Sequence, residues 1–240
     1  MHLTSDSTNK KHVMAERMLD QGIPSNLCNL FIYDVEDYRV LSLYSALSKS
    51  FVGYKVLINR HESESESWLS QNYNSIVKVS FDPDFELIPK SFNNSIQDNY
   101  STEIAVNTAL QKDEVHLAYG IEKISKSIES PSAWIFVHDS IVSILIAQNK
   151  SLVFANSFKF QDQTEILYFI VNALHISEIK QDDVSLYLDF AAWNKFGLKD
   201  FLQSYFKSVE PVILPFENPD PELEILPLLL APNHLAALCV

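Results

Sequence analysis

Hydrophobic positions are most regularly spaced between residues 133 and 174, where three short apolar runs precede a longer one. The short runs cover residues 134–137, 141–147 and 152–155, and this length is typical of buried strands. Polar residues 148–150 separate the second run from the third, and the Asn at their centre tolerates the positive φ that a tight hairpin requires. The pattern predicts three adjacent strands.

A helix is predicted directly after these strands. Asp162 is placed to cap it, and Glu165 is placed to reach back to the N–H of the cap, as in a capping box. Apolar residues then recur at helical spacing as far as Leu174. We expect the large apolar side chains of this segment to form core: Trp134, Phe136, Ile144, Phe154, Ile166 and Ile170.

The chain before this segment opens in the same way. Apolar runs at residues 30–33, 40–44 and 51–58 predict three strands. A short helix centres on Trp68, and an alternating run at 76–81 predicts a fourth strand. The first half of the chain therefore also begins with three strands, a helix and a strand.

Later elements complete both halves. Helical periodicity is present at residues 102–110 and 121–128, before Ser130-Pro131. The second half continues with a strand at 184–190, an amphipathic helix at 198–205 and a short strand at 212–214. Two similar β-β-β-α-β-α halves predict an α/β protein of two lobes, each with a mixed sheet flanked by helices.

The predicted organisation has three parts. Residues 1–22 form a polar N-terminal segment, 23–130 a first lobe and 131–240 a second lobe. The N-terminal segment contains a weakly helical run at residues 10–19. We expect this segment either to pack against the first lobe or to trail as a mobile tail.

Composition favours a globular protein that binds neither nucleic acid nor membranes. Hydrophobic residues make up 47% of the 240 residues, which is ample for a core. Asp and Glu total 31 against 18 Lys and Arg, so the formal net charge is −13, which repels phosphate backbones and anionic lipid head groups. Residues 1–22 lack the apolar core of a signal peptide, and no apolar run approaches the ~20 residues that cross a bilayer. We expect a cytoplasmic protein.

The two-lobed layout is that of the actin-like ATPase fold, a ribonuclease H-like architecture, and two segments resemble parts of that superfamily. Residues 134–158 resemble its second phosphate hairpin and following strand, including those of its pilus-assembly members. Residues 30–43, which contain Asp34, resemble its first hairpin. The resemblance implies a two-lobed actin-like fold from about Leu27 onward.

A narrower resemblance points to one bacterial family of unknown function with this fold. It is carried by Phe154-Ala-Asn-Ser-Phe158, by the helical segment Glu165-Ile-Leu-Tyr-Phe169 and by Leu87-Ile-Pro-Lys-Ser-Phe92. This family brings no assigned activity with it.

The hairpin turns depart from the superfamily pattern. Nucleotide binding by actin-like proteins depends on Gly, Ser and Thr in both turns, where small side chains let backbone N–H groups approach the phosphates. Here the turns are filled: Val35, Glu36 and Asp37 follow Asp34, and Ser140, Ile141 and Val142 follow Asp139. The acidic first turn repels a triphosphate unless a cation intervenes. With only four Gly in the chain, the sequence also lacks a Gly-rich purine-binding loop.

The resemblance places Asp34 and Asp139 where relatives hold a hydrated metal ion. Two interpretations stay open for these residues. In one, both simply end strands and cap turns. In the other, both hold Mg²⁺ for a nucleotide bound between the lobes.

Other candidate sites have ordinary structural explanations. His138 and Asp139 are adjacent, and we expect neighbouring strand residues to point to opposite faces, which disfavours a catalytic pair. The acidic residues in 61–66 are expected to favour a helix start. Cys28 and Cys239 are far apart without C-x-x-C spacing, so reduced thiols are expected rather than a disulfide or a metal site. Sequence motifs for phosphate-loop, serine-hydrolase or zinc-protease chemistry are missing.

Two functions of different classes follow. The leading hypothesis is a non-enzymatic, cytoplasmic binding or scaffolding protein with degenerate nucleotide-binding turns, which binds an unidentified protein partner and uses no cofactor, metal or catalytic residue. The alternative is a divergent Mg-dependent ATPase or phosphotransferase, in which Asp34 and Asp139 bind ATP and Mg²⁺ in the inter-lobe cleft.

Overall fold

The computed structural model describes residues 13–18, 22–35, 37–48, 50–58, 62–80, 85–89, 102–106, 114–194, 197–212 and 226–239. They contain two mixed β-sheets flanked by helices, as predicted. Among these residues, no helix combines the length and the hydropathy needed to cross a membrane.

The first sheet has the strand order β1-β4-β3-β2-β5-β8. Its strands and the helix α1 on one face are β1 (Val13–Met18), β2 (Cys28–Val35), β3 (Tyr38–Ser45), β4 (Phe51–Ile58), α1 (Glu62–Leu69), β5 (Ser75–Ser80) and β8 (Glu114–His116). β2, β3 and β4 form an antiparallel meander, whereas β5 runs parallel to β2. The strands expected at 30–33, 40–44 and 51–58 are therefore confirmed, and the one expected at 76–81 is confirmed as far as Ser80, since residue 81 lies outside the described part of the chain.

The second sheet has the order β11-β10-β9-β12-β13. Its elements are β9 (Ser132–His138), β10 (Ile141–Gln148), β11 (Ser151–Lys159), α3 (Gln163–Ile176), β12 (Ser185–Leu188), α4 (Phe190–Asn194), α5 (Leu198–Gln203) and β13 (Ser208–Pro211). The tight hairpin is confirmed, with Asn149 and Lys150 at φ of 52° and 64°. Asp162 caps α3 by accepting from the N–H groups of Thr164 and Glu165. Glu165 accepts from Gln161 N–H rather than from the cap itself.

Two helical predictions are wrong where the structure describes them. Residues 102–106, expected to be helical, form β7 (Thr102–Val106), which pairs with β6 (Phe85–Pro89); their alternating β-branched residues favour a strand once a partner is present. The weak helix at 10–19 is replaced by β1, which pairs with β4. Glu16 of β1 binds the buried Lys55 ammonium at 3.2 Å and Trp68 Nε1 at 2.8 Å. These tertiary partners outweigh local helix propensity.

The end of the second half also differs in detail. β12 stops at Leu188, and Phe190 begins α4, because Asp189 caps this helix by accepting from Ala192 N–H at 2.8 Å. The final strand is Ser208–Pro211, and Val212 follows it with an N–H bond to the Leu188 carbonyl. Residues 213–214 of the strand expected at 212–214 lie outside the described part of the chain.

Two helices lie between the sheets. α2 (Leu117–Ser125) leads from β8 to β9, as the periodicity at 121–128 predicted, and α6 (Leu226–Ala237) returns from the second half. One side of α6 packs on the first sheet through residues such as Leu229, and another packs with α2 on the second sheet through Leu235. Because α6 lies in 131–240 yet packs on both sheets, the division at residue 130 stays a prediction.

The two helices touch closely at Gly120. A Cβ at this position would lie 2.6 Å from the Leu235 carbonyl oxygen, which is inside van der Waals contact with backbone. Only a residue without a side chain lets α2 and α6 approach this far.

Polar side chains fasten α6 to the first sheet. The buried Asn233 amide donates to the Val40 carbonyl at 3.1 Å and to Ser42 Oγ at 2.9 Å. His234 Nδ1 lies 3.2 Å from the hydroxyl of Tyr44. Burial raises the pKa of Tyr44 and lowers the pKa of His234 from its ordinary value.

We predict that Gly120→Ala destabilises the protein by about 1–3 kcal/mol through overpacking against Leu235. In an open helix the same change would stabilise by about 1 kcal/mol, so the sign of the effect tests the close contact. Urea melts measure it. The control Lys126→Ala, at an exposed position after α2, should stay within about 0.5 kcal/mol. A more stable Gly120→Ala variant would contradict the packing.

Truncation of core side chains should follow their burial. Phe136 is 2% exposed in the core on one face of the second sheet, whereas Phe154, expected to be core, is only partly buried against the core on the other face. Phe136→Ala should therefore cost about 3–5 kcal/mol in urea melts, and Phe154→Ala clearly less. Ser151→Ala, beside the hairpin turn, serves as the control. Equal unfolding midpoints for the three variants would contradict this difference in burial.

Stability should fall as pH is lowered through the titration of His234. The folded state holds the pKa of His234 below the unfolded value of 6.5, so the unfolded state binds more protons and gains population as pH falls. The loss should begin near pH 6.5 and level off below the folded pKa. Urea melts from about pH 7.5 to about pH 5.5 measure it. The free energy of unfolding should depend less on pH in His234→Gln than in His175→Gln, the control at an exposed histidine. Identical pH dependences in the two variants would contradict the prediction.

Candidate functional site

The first hairpin turn is closed by an ion pair. Asp34 at the end of β2 is the cross-strand partner of Arg39 in β3. Arg39 donates through Nε to Asp34 Oδ1 at 2.8 Å and through Nη2 to Oδ2 at 2.9 Å. The Asp34 side chain is 28% exposed and the Arg39 side chain is 19% exposed. Both carboxylate oxygens of Asp34 are thus engaged by one guanidinium, in the bidentate geometry that suits this pair.

The second hairpin turn is open to solvent. Asp139 occupies its first position at a φ of 50°, and its side chain is 86% exposed. His138 Nε2 lies 3.7 Å from Asp139 Oδ2. The expectation that these side chains point apart is wrong, because Asp139 lies in the turn and no longer follows the alternation of the strand.

A cavity of about 350 Å³ lies beside the first turn. It is lined by the charged or polar residues Asp34, Arg39, Lys78 and His138, by Tyr33, and by the apolar residues Ile32, Leu69 and Val79. β2 and β5 run parallel, so residues near their carboxyl ends meet at one edge of the first sheet. His138, at the end of β9, adds a side chain from the second sheet. The cavity is therefore shared by both halves of the fold.

The structure brings only one of the two predicted carboxylates to this cavity. Asp34 lines it, but Asp139 is not among its lining residues. Among the described residues there is also no group of three His, Cys, Asp or Glu side chains that could hold a metal ion. A cation at Asp34 would have to displace the Arg39 guanidinium, which binds both carboxylate oxygens. Cation binding by this pair stays a prediction.

An aromatic contact holds the second half against the first near the cavity. Phe190 is buried in the core of the first sheet, and its ring meets Tyr38 edge-on at 5.4 Å. Trp193 on the same helix packs against the cores of both sheets. Asp189 fixes the start of α4, since its carboxylate also accepts from Val137 N–H at 3.3 Å. α4 is thus positioned by one sheet and packs on the other.

Sequence reasoning missed the basic residues of the cavity. Arg39 could have been found, because an acidic and a basic residue that flank a tight turn at equal distances become cross-strand partners. Lys78 gives no such signal, since a single charged residue within the strand Ser75–Ser80 has no recognisable partner in the sequence. The sequence pattern extends the later strand to Phe190, so it does not predict the contact of this residue with Tyr38. Cys28 is buried and its thiol donates to the Pro24 carbonyl, whereas Cys239 is half-buried and donates to the Leu235 carbonyl.

Comparison with solved structures shows an actin-like ATPase fold. A Bacteroides thetaiotaomicron protein with this fold and unknown function matches with a TM-score of 0.56 and 16% identity, over 78% of this chain and 91% of that one. The ethanolamine utilization protein EutJ from Carboxydothermus hydrogenoformans matches at a TM-score of 0.44 and 8% identity, over 88% and 89% of the two chains. A PilM–PilN type IV pilus biogenesis complex matches at 0.46 and 11%, over 87% and 97%. These similarities show the fold alone, and the assignment of the fold rests on the Bacteroides thetaiotaomicron protein.

Sequence comparison identifies the family. No curated protein matches the chain. A family model described as "Protein of unknown function (DUF3822)" matches residues 86–209, which is more than half of the chain and includes the β9–β11 meander, α3 and β12. The chain belongs to the DUF3822 family of proteins of unknown function, and its fold is that of the actin-like ATPases.

Proposed function

We propose that this protein is a non-enzymatic, cytoplasmic binding or scaffolding module that keeps the actin-like fold without nucleotide chemistry. The observation that carries the proposal is the Asp34–Arg39 pair at the first turn. A phosphate-binding turn needs small side chains and accessible backbone N–H groups. Here the strand ends carry a bidentate ion pair instead, and the negatively charged Asp37 follows in the turn.

Charge also supports this proposal. A triphosphate approaching the first turn would meet Asp34 and Asp37, and Asp139 extends into solvent at the second turn. Arg39 neutralises Asp34, but bringing it to a phosphate would break two charge-assisted hydrogen bonds, at a cost of about 1 kcal/mol for a partly exposed pair. Nucleotide binding would therefore have to compensate for that loss.

The fixed contact between the halves of the molecule suits a scaffolding role. Phe190 packs into the first core, and α6 contributes to cores on both sheets. A large apolar contact of this kind disfavours relative motion of the two halves. The module would then present a constant surface to a protein partner, whose identity is open.

The alternative is a divergent Mg-dependent ATPase or phosphotransferase. One observation favours it: the cavity lies at strand ends contributed by both sheets and contains basic side chains. In that case Asp34 would have to exchange Arg39 for a hydrated cation.

Titration calorimetry with ATP and ADP in the presence of Mg²⁺ tests the proposal. We expect no saturable binding, because the turns offer no phosphate cradle. Micromolar affinity would overturn the non-enzymatic proposal. Asp34→Ala and the control Asp37→Ala then locate the site, since Asp37 lies in the same turn but does not line the cavity. Loss of binding in the first variant alone would support the alternative.

A further inference from the structure

The cavity between the two halves differs in charge from the rest of the chain. Among its lining residues, Arg39 and Lys78 carry positive charge and Asp34 carries negative charge, which leaves one excess positive charge. The whole chain has a formal net charge of −13. A local excess of positive charge on such an acidic protein concentrates anions at that place.

Lys78 provides the cation that can meet a ligand directly. It lies on β5, next to Ile32 of β2 in the parallel register. Its side chain is exposed at the cavity. None of the ion pairs between described residues includes Lys78. An ammonium group with three donors can bind an oxyanion from many directions.

His138 faces the same cavity from the other sheet. It ends β9, and the packing of Phe190 on Tyr38 holds α4 of the second half against the first. An imidazole N–H can donate to an anion in the cavity. The two donors thus belong to different sheets, and the contact between the halves fixes their separation before any ligand arrives.

The apolar surface and the size restrict the ligand. Ile32, Leu69 and Val79 contribute nonpolar wall, so water is partly displaced when the cavity is filled. Its volume of about 350 Å³ is near the lower end of the range for small-molecule sites, about 300–1,000 Å³. A small molecule fits this space better than a nucleoside triphosphate.

We propose that the cavity binds a small oxyanion, a phosphate or a carboxylate, through the side chains of Lys78, Arg39 and His138. Recognition by side-chain cations does not require the small turn residues that the chain lacks. Arg39 keeps its pair with Asp34 and contributes charge, Lys78 contacts the anion, and His138 closes the site from the second sheet. This inference is independent of the proposed protein partner.

NMR titration of the full chain tests the proposal, with inorganic phosphate and succinate as separate probes at constant ionic strength. We expect saturable shifts of the backbone N–H signals of Lys78 and His138 with at least one probe. Saturation by phosphate alone or by succinate alone assigns the class of anion. No saturable shift with either probe would overturn the proposal.

Charge-removing variants locate the binding. Lys78→Gln should raise the dissociation constant about tenfold, the effect of one lost charge-assisted hydrogen bond. Lys126→Gln removes another exposed lysine, which does not line the cavity, and should leave the constant unchanged. Equal weakening by both variants would show only nonspecific attraction and would overturn the site. If the Lys78→Gln variant still binds Mg·ATP, the proposed function is contradicted. That result leaves this inference untouched, because the titration with phosphate decides it.

Discussion

The contact between Gly120 of α2 and the Leu235 backbone of α6 is the constraint on which the arrangement of the two sheets depends. These helices lie between the sheets, and each contributes side chains to the core that covers one face of the second sheet. α6 also fills the core of the first sheet. If the helices were held further apart by a side chain at position 120, the two cores could not both stay closely packed. The position of one half relative to the other is therefore set at this crossing.

The candidate site inherits its geometry from that crossing. The cavity has most of its lining on the first sheet and α1, but His138 comes from β9 of the second sheet. Phe190 and Trp193, on the helix that follows β12, reinforce the same arrangement: Phe190 packs in the core of the first sheet, and Trp193 packs against the cores of both sheets. A site built from two sheets is only as well defined as the contact between them, and here that contact is apolar and buried.

The hairpin turns and the strands around them depend on different interactions. The strands around both hairpins remain regular, since their stability comes from buried apolar faces rather than from turn residues. At the first turn, a partly exposed pair such as Asp34–Arg39 contributes only about 1 kcal/mol to folding. The pair also occupies the Asp34 carboxylate and places a guanidinium at the cavity. A fold of this kind leaves binding chemistry to a few side chains at its strand ends.

The sequence by itself determined most strands, α3 with its Asp162 cap, and the two-lobed class, because apolar periodicity and capping chemistry are local and strong. It pointed to Asp34 through a resemblance, but it could not show that Arg39 engages both oxygens. It misjudged residues 13–18 and 102–106, where strand partners distant in the chain outweigh local helix propensity. Only the tertiary structure decided that Lys78 and His138 face one cavity, that Phe190 leaves its own sheet to pack on the other, and that Gly120 must lack a side chain. Each of these depends on residues far apart in sequence, and no local pattern encodes which distant surfaces will meet.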